Sequence, residues 1–196
     1  MNRAEIKNLA KQQIKGNVGT LFVITLVIAL VTGALNIIPG VGSLASALIA
    51  PAFTLATVAI YLKLTNGEKI AIGDAFAKLG QFWPAFKVTF LTSLFTALWS
   101  LLFVIPGIIK TFSYSQAMYI LAENPNIGAR EAIKRSMAMM EGHKMELFVL
   151  SLSFIGWGLL CGITFGIAAI WVVPYMNATM ANFYNKIKGE QAAFVE

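Results

Sequence analysis

Residues 16–62 read GNVGTLFVITLVIALVTGALNIIPGVGSLASALIAPAFTLATVAIYL, 47 residues without one Asp, Glu, Lys or Arg. A bilayer core takes about 20 apolar residues per helical crossing. The stretch is therefore long enough for two crossings and a turn. Residues 88–122 repeat the pattern with one charge, Lys110, and residues 147–185 repeat it with none. A chain that is only 12% charged and carries such blocks is not an ordinary soluble domain, where about a quarter of residues are charged. The sequence predicts an all-α membrane protein.

The cations set the topology. Fourteen of the 15 Lys and Arg residues lie in four stretches between and beside the apolar blocks. They are Arg3, Lys7, Lys11 and Lys15; Lys63, Lys69, Lys78 and Lys87; Arg130, Lys134, Arg135 and Lys144; and Lys186 and Lys188. Six transmembrane helices put all four stretches on one side, which the positive-inside rule makes the cytoplasm. The expected spans are 19–37, 43–62, 87–104, 107–122, 147–165 and 167–185, with both termini cytoplasmic in a bacterial cell membrane. The basic N-terminus resembles a signal peptide, but the apolar run 18–38 is too long for one, so it reads as an uncleaved first crossing. The net charge of +6 reads as topology and anionic-headgroup contact, with no nucleic acid partner.

The blocks read as three copies of one unit, approximately 1–63, 64–122 and 123–188, with a short tail at 189–196. Gly16-Asn17, Gly80-Gln81 and Gly142-His143 are each followed by a Phe six residues after the Gly. Ile38-Pro39-Gly40 recurs as Ile105-Pro106-Gly107, and Pro51, Tyr61 and Lys63 recur as Pro174, Tyr184 and Lys186. The Pro-Gly pairs mark turns. The third turn falls near Gly162 to Gly166, which leaves Pro174, like Pro51, inside a helix where it would kink it. Each unit opens on an amphipathic segment: Ile6, Leu9 and Ile14; Ile72, Phe76, Leu79 and Trp83, with Asp74 as N-cap; Ile133, Met137 and Met140. These faces suit the headgroup layer, the chain's own bundle, or a partner.

Few side chains carry chemistry. Lys110, near the second outer turn, is either a snorkelling anchor or a substrate or lipid contact. Tyr114, Gln116, Asn177 and Asn182 head a cluster of polar residues in helices four and six. They either line a polar pathway or bond between helices. Gly158, Gly162 and Gly166 have GxxxG spacing and predict helix packing, inside the chain or in a dimer. Cys161 reads as a small core residue. His143 lacks the partners of a metal ligand and reads as part of a helix start, as do Asn17 and Gln81. No catalytic, metal or cofactor set is recognisable, and no carboxylate falls within a span.

VIPGIIK (104–110), YILAENP (119–125), EAIK (131–134), GHK (142–144), ELF (146–148), SFIGW (153–157), PY (174–175) and MANFY (180–184) resemble domain-of-unknown-function family 975. That is an uncharacterised bacterial membrane family common in Firmicutes, and the likeness covers nearly the whole chain. Similar six-helix regions occur in the membrane portion of some glycerophosphodiester phosphodiesterases, whose catalytic domain has no counterpart here. The resemblance implies a membrane protein and no established activity. The expected role is a non-enzymatic scaffold, accessory or lipid-interacting module, with a membrane-protein partner or a homo-oligomer open. The alternative is a small-solute transporter or channel.

Overall fold

A computed structural model describes residues 2–37 and 42–193, without the side chains of residues 43 and 191–193. It is all-helical, with no strand among the described residues. The helices are α1 (Arg3–Ile14), α2 (Val18–Asn36), α3 (Gly42–Thr65), α4 (Phe82–Leu102), α5 (Val104–Tyr114), α6 (Ala117–Glu123), α7 (Ala129–Met139), α8 (Lys144–Leu152), α9 (Ile155–Ile163) and α10 (Ala169–Ala193). Four stretches are long and apolar enough to cross a membrane: Val18–Asn36, Leu44–Thr65, Ile72–Leu102 and Lys144–Ile163.

α1 starts on a capping box: the Asn2 side chain accepts the Ala4 N–H at 2.7 Å, and Glu5 accepts the Asn2 N–H at 2.8 Å. Its stripe of Ile6, Ala10 and Ile14 is fully buried against α10. Gly16, at φ +88°, then turns the chain into α2, and Gly142, at φ +82°, does the same between α7 and α8. α7 buries Ala132, Ile133, Ser136 and Met139 against α4, α5 and α6. The apolar faces of both helices are thus consumed inside the chain. The middle unit departs from expectation. Residues 72–81 hold two 3-10 turns, Ile72–Ala75 and Leu79–Gln81, and leave Ile72, Phe76 and Trp83 exposed. Asp74 is no N-cap; it sits inside the first turn, accepts the Ala71 N–H at 2.9 Å and pairs with Lys63 at 2.8 Å.

Two expected spans are interrupted. Between α5 and α6 the Ser136 hydroxyl of α7 enters the helical ladder. It donates to the Ser113 carbonyl at 2.8 Å and accepts the Gln116 N–H at 3.1 Å. An inserted side chain of this kind breaks a helix. Between α8 and α9 the bonding tightens: the Phe154 N–H donates to the Ser151 carbonyl at 3.0 Å, one residue short of the α-helical partner. α3 and α10 instead continue through Pro51 and Pro174.

The second turn lies earlier than Pro106-Gly107. The chain reverses at Phe103, which is extended at φ −156° and ψ 137°. Pro106 occupies the first turn of α5, where the absent N–H has no helical partner to lose. Gly107 matters for proximity, since a Cβ there would lie 2.1 Å from Ser100 Oγ across the α4–α5 contact. The third turn carries Phe165 at φ +50° and Gly166 at φ +86°. Pro39 and Gly40 of the first turn lie outside the described residues.

Packing divides the molecule across its helices. On α3, Leu55, Ala56 and Ile60 are buried while Leu44 and Leu48 are exposed. On α2, Leu21 and Ile24 are buried while Leu26 and Leu30 are exposed. The helix ends nearest the charged segments form a packed base. The ends nearest the turns form apolar tips, where Leu101 is 85% and Phe165 97% exposed.

Candidate functional site

The four polar residues expected along one pathway are not brought together. Asn182 is buried and donates to Gln13 Oε1 of α1 at 2.6 Å. Asn177, one and a half turns earlier on α10, returns its amide to the Val173 carbonyl at 3.0 Å. Gln116 is buried at the α5–α6 break, with its Nε2 donating to Ser115 Oγ at 2.9 Å and its Oε1 unpartnered. Tyr114 faces α4, its ring 6.3 Å from that of Phe95. Lys110 is half-buried and holds its amine 5.0 Å from the Trp99 ring, a cation–π contact across α4 and α5. Gly158 and Gly162 are exposed with nothing within 4 Å of a built Cβ, and Gly166 serves the turn; the GxxxG spacing makes no packing within the described chain.

Tyr114 instead lines a groove of about 510 Å³ between α4 and α5, with Thr92, Ser93, Thr96, Ala97, Thr111 and Ser115. Thr92 is the eleventh of the 21 residues of α4, about 15 Å from either end. The hydroxyls of Thr92, Thr111 and Ser115 are spent on their own helices, donating to Val88, Gly107 and Phe112 carbonyls. They retain lone pairs for a ligand that donates.

A second polar constellation, which no motif in the sequence announces, lies where α1 meets the α8–α9 junction and α10. Lys7 Nζ donates to Ser153 Oγ at 3.0 Å and stands 4.7 Å from the Phe154 ring. Lys11 Nζ stands 5.6 Å from the Tyr175 ring. Phe154, Trp157, Trp171 and Tyr175 form a connected aromatic cluster, with Trp171 and Tyr175 centroids 5.0 Å apart. Burial and the neighbouring Lys11 hold the Lys7 amine below the usual lysine value. Ser153 is the tenth of the 20 residues in Lys144–Ile163. If that stretch crossed a membrane end to end, both lysines would lie near its centre, at roughly 2.5–3.5 kcal/mol each. The only signal in the sequence was that Lys7 and Lys11 flank the Ile6, Ala10 and Ile14 stripe.

Two groups of ion pairs clasp the base. Glu123 accepts from Tyr184 Oη at 2.8 Å and pairs with Lys188 at 2.7 Å. Glu146 pairs with Lys186, and His143 lies 3.4 Å from Glu146 and 3.7 Å from Glu190. Asn17, Gln81 and His143 all precede the first residue of a helix, yet none of their side chains caps it. Cys161 is a free, half-buried thiol. Among the described residues no group of three or more His, Cys, Asp or Glu could hold a metal ion.

Compared with known proteins, residues 1–111 and 101–191 match the family described as Protein of unknown function (DUF975). No curated protein and no solved structure matches the chain.

Proposed function

The chain belongs to that family of unknown function, and on that premise we propose that it is a non-enzymatic multi-pass module of a bacterial cytoplasmic membrane, acting as an accessory or lipid-interacting protein. The observation that carries the reading is the division between a charged, packed base and exposed apolar tips. Such a surface is stable only where lipid covers the tips and water or headgroups meet the base. The six apolar segments form three hairpins that enter and leave on the basic, cytoplasmic side. They make six crossings where each hairpin reaches the far interface.

A threefold repeat of units 1–63, 64–122 and 123–188 accompanies this reading. Its support is the left-handed Gly16 and Gly142, and the docking pattern of the units. α7 lies on α6, the 3-10 turns lie on α3, and α1 lies on α10. Each opening segment thus covers the last helix of the preceding unit, and the first covers the last, which closes a ring.

The test is reconstitution into vesicles of phosphatidylcholine with and without phosphatidylglycerol. Preferential retention of phosphatidylglycerol without solute flux supports the reading; flux above that of protein-free vesicles overturns it. A second reading, transport of a small hydrogen-bonding solute, rests on the hydroxyl-lined α4–α5 groove. Cysteines introduced at Thr92, Thr96 and Tyr114 that all resist polar thiol reagents would exclude it.

A further inference from the structure

We propose that Lys7 and Lys11 form a binding site for the phosphate of an anionic phospholipid, at the rim of the α9–α10 hairpin. The inference rests on the lipid-interacting reading and names the site that performs it.

Lys7 and Lys11 combine the lack of a balancing carboxylate, which other cations share, with a common seat against Ser153 and an aromatic cluster. Lys63, Arg135, Lys186 and Lys188 each have a carboxylate within salt-bridge distance. Among the described residues Lys7 and Lys11 have none, and Glu5, the acid on their helix, is engaged by the Asn2 N–H. The two ammonium groups are neighbours on one helical face, four residues apart, and each repels the other. Ser153 and the aromatic rings hold them in place but supply no negative charge. A phosphodiester placed between the two lysines provides that charge and accepts from both amines.

Position selects a lipid over a free anion. From Ser153 outward the surface is apolar: Ile155, Leu159, Ile163, Phe165, Ile167 and Ile170 are exposed. α9 has nine residues, about 14 Å of helix, whereas the hydrocarbon core is about 30 Å thick. With the lysines at headgroup level, the hairpin tip reaches about the bilayer midplane. Trp157, Trp171 and Tyr175 then lie just below the lysines, at the depth aromatic side chains favour. The acyl chains of a lipid held at the rim would lie along the exposed hairpin face. In this arrangement α9 and the start of α10 dip into one leaflet and return, so this third hairpin adds no crossing to those of the first two.

The test uses the full chain in vesicles of phosphatidylcholine with and without phosphatidylglycerol, reading lipid that co-purifies on extraction. Wild-type protein should retain phosphatidylglycerol selectively, and Lys7→Gln with Lys11→Gln should lose roughly thirtyfold of that preference. Arginine at both positions should preserve it. Lys69→Gln with Lys134→Gln removes the same charge from exposed positions and should preserve it too. If the Lys7/Lys11 pair does not fold as glutamines, Lys11→Gln alone keeps the Lys7–Ser153 bond and gives the same comparison at roughly fivefold. Selectivity unchanged by the Lys7/Lys11 substitutions, or lost equally in the Lys69/Lys134 control, overturns the site while leaving the lipid reading intact. No selectivity in wild type overturns both. Displacement of the lipid by inorganic phosphate would mark a free-anion site and overturn the proposal.

Discussion

The base and the tips are built from the same residues and behave oppositely. Leu55 and Leu44 lie on one helix, eleven residues apart; the first is fully buried and the second 66% exposed. Hydropathy is equal, so what differs is the neighbour available. At the base, α1, α6 and α7 fill the space between the hairpins. Among the described residues no further element fills the tips, and α4 and α5 are held by close backbone approach at Ser100 and Gly107. The lesson is that apolar content predicts removal from water and not removal from lipid.

The comparison can be broken at its strongest point by Ile14→Asp. A charge would enter a fully buried site of the base, with an expected loss of more than about 3 kcal/mol. Thermal unfolding in detergent would show it, and an unchanged midpoint would mean that α1 does not belong to the base. Gly107→Leu attacks a tip contact that has no spare room; overpacking should cost about 1–3 kcal/mol and separate α4 from α5. A disulfide scan across Ser100 and its neighbours would detect the separation. Ser136→Ala should cost about 1–2 kcal/mol, because the Ser113 carbonyl and Gln116 N–H lose their shared partner. Faster hydrogen exchange at the Gln116 amide would report this locally. Leu101→Ala, on the tip, should leave unfolding within about 0.5 kcal/mol of wild type. A larger effect there would mean that another chain covers the tips.

Much of this fold is legible in the sequence because it follows from where charge is absent. The uncharged blocks give the apolar helices, and the Ile6 and Ile14 spacing gives α1 with its buried face. Gly16 and Gly142 mark the left-handed turns that lead into α2 and α8. What was not legible depended on distant partners. The break after Tyr114 is made by Ser136, 23 residues from the carbonyl it takes over. Nothing in SYSQ itself demands it, and a lone helix there would run on. Residues 72–81 show the reverse failure: Ile72, Phe76 and Trp83 keep helical spacing, but Gly73 and Gly80 lower the helix propensity of a short segment and 3-10 turns form. The candidate sites were legible as residue types only. The sequence leaves Asn182 open between a pathway and an interhelical bond because its partner, Gln13, is 169 positions away, and it does not distinguish Lys7 and Lys11 from the other flanking cations.

That last separation has a consequence in time. Gln13 is made 169 residues before Asn182. At about 5–20 residues per second, α1 waits roughly 8–34 s for the helix that completes its burial. Throughout that interval its stripe of Ile6, Ala10 and Ile14 has no permanent cover. An amphipathic basic helix in that condition adsorbs to an anionic membrane. The nascent chain would therefore be held at the bilayer surface by α1, which would pass into the packed base only when α10 arrives.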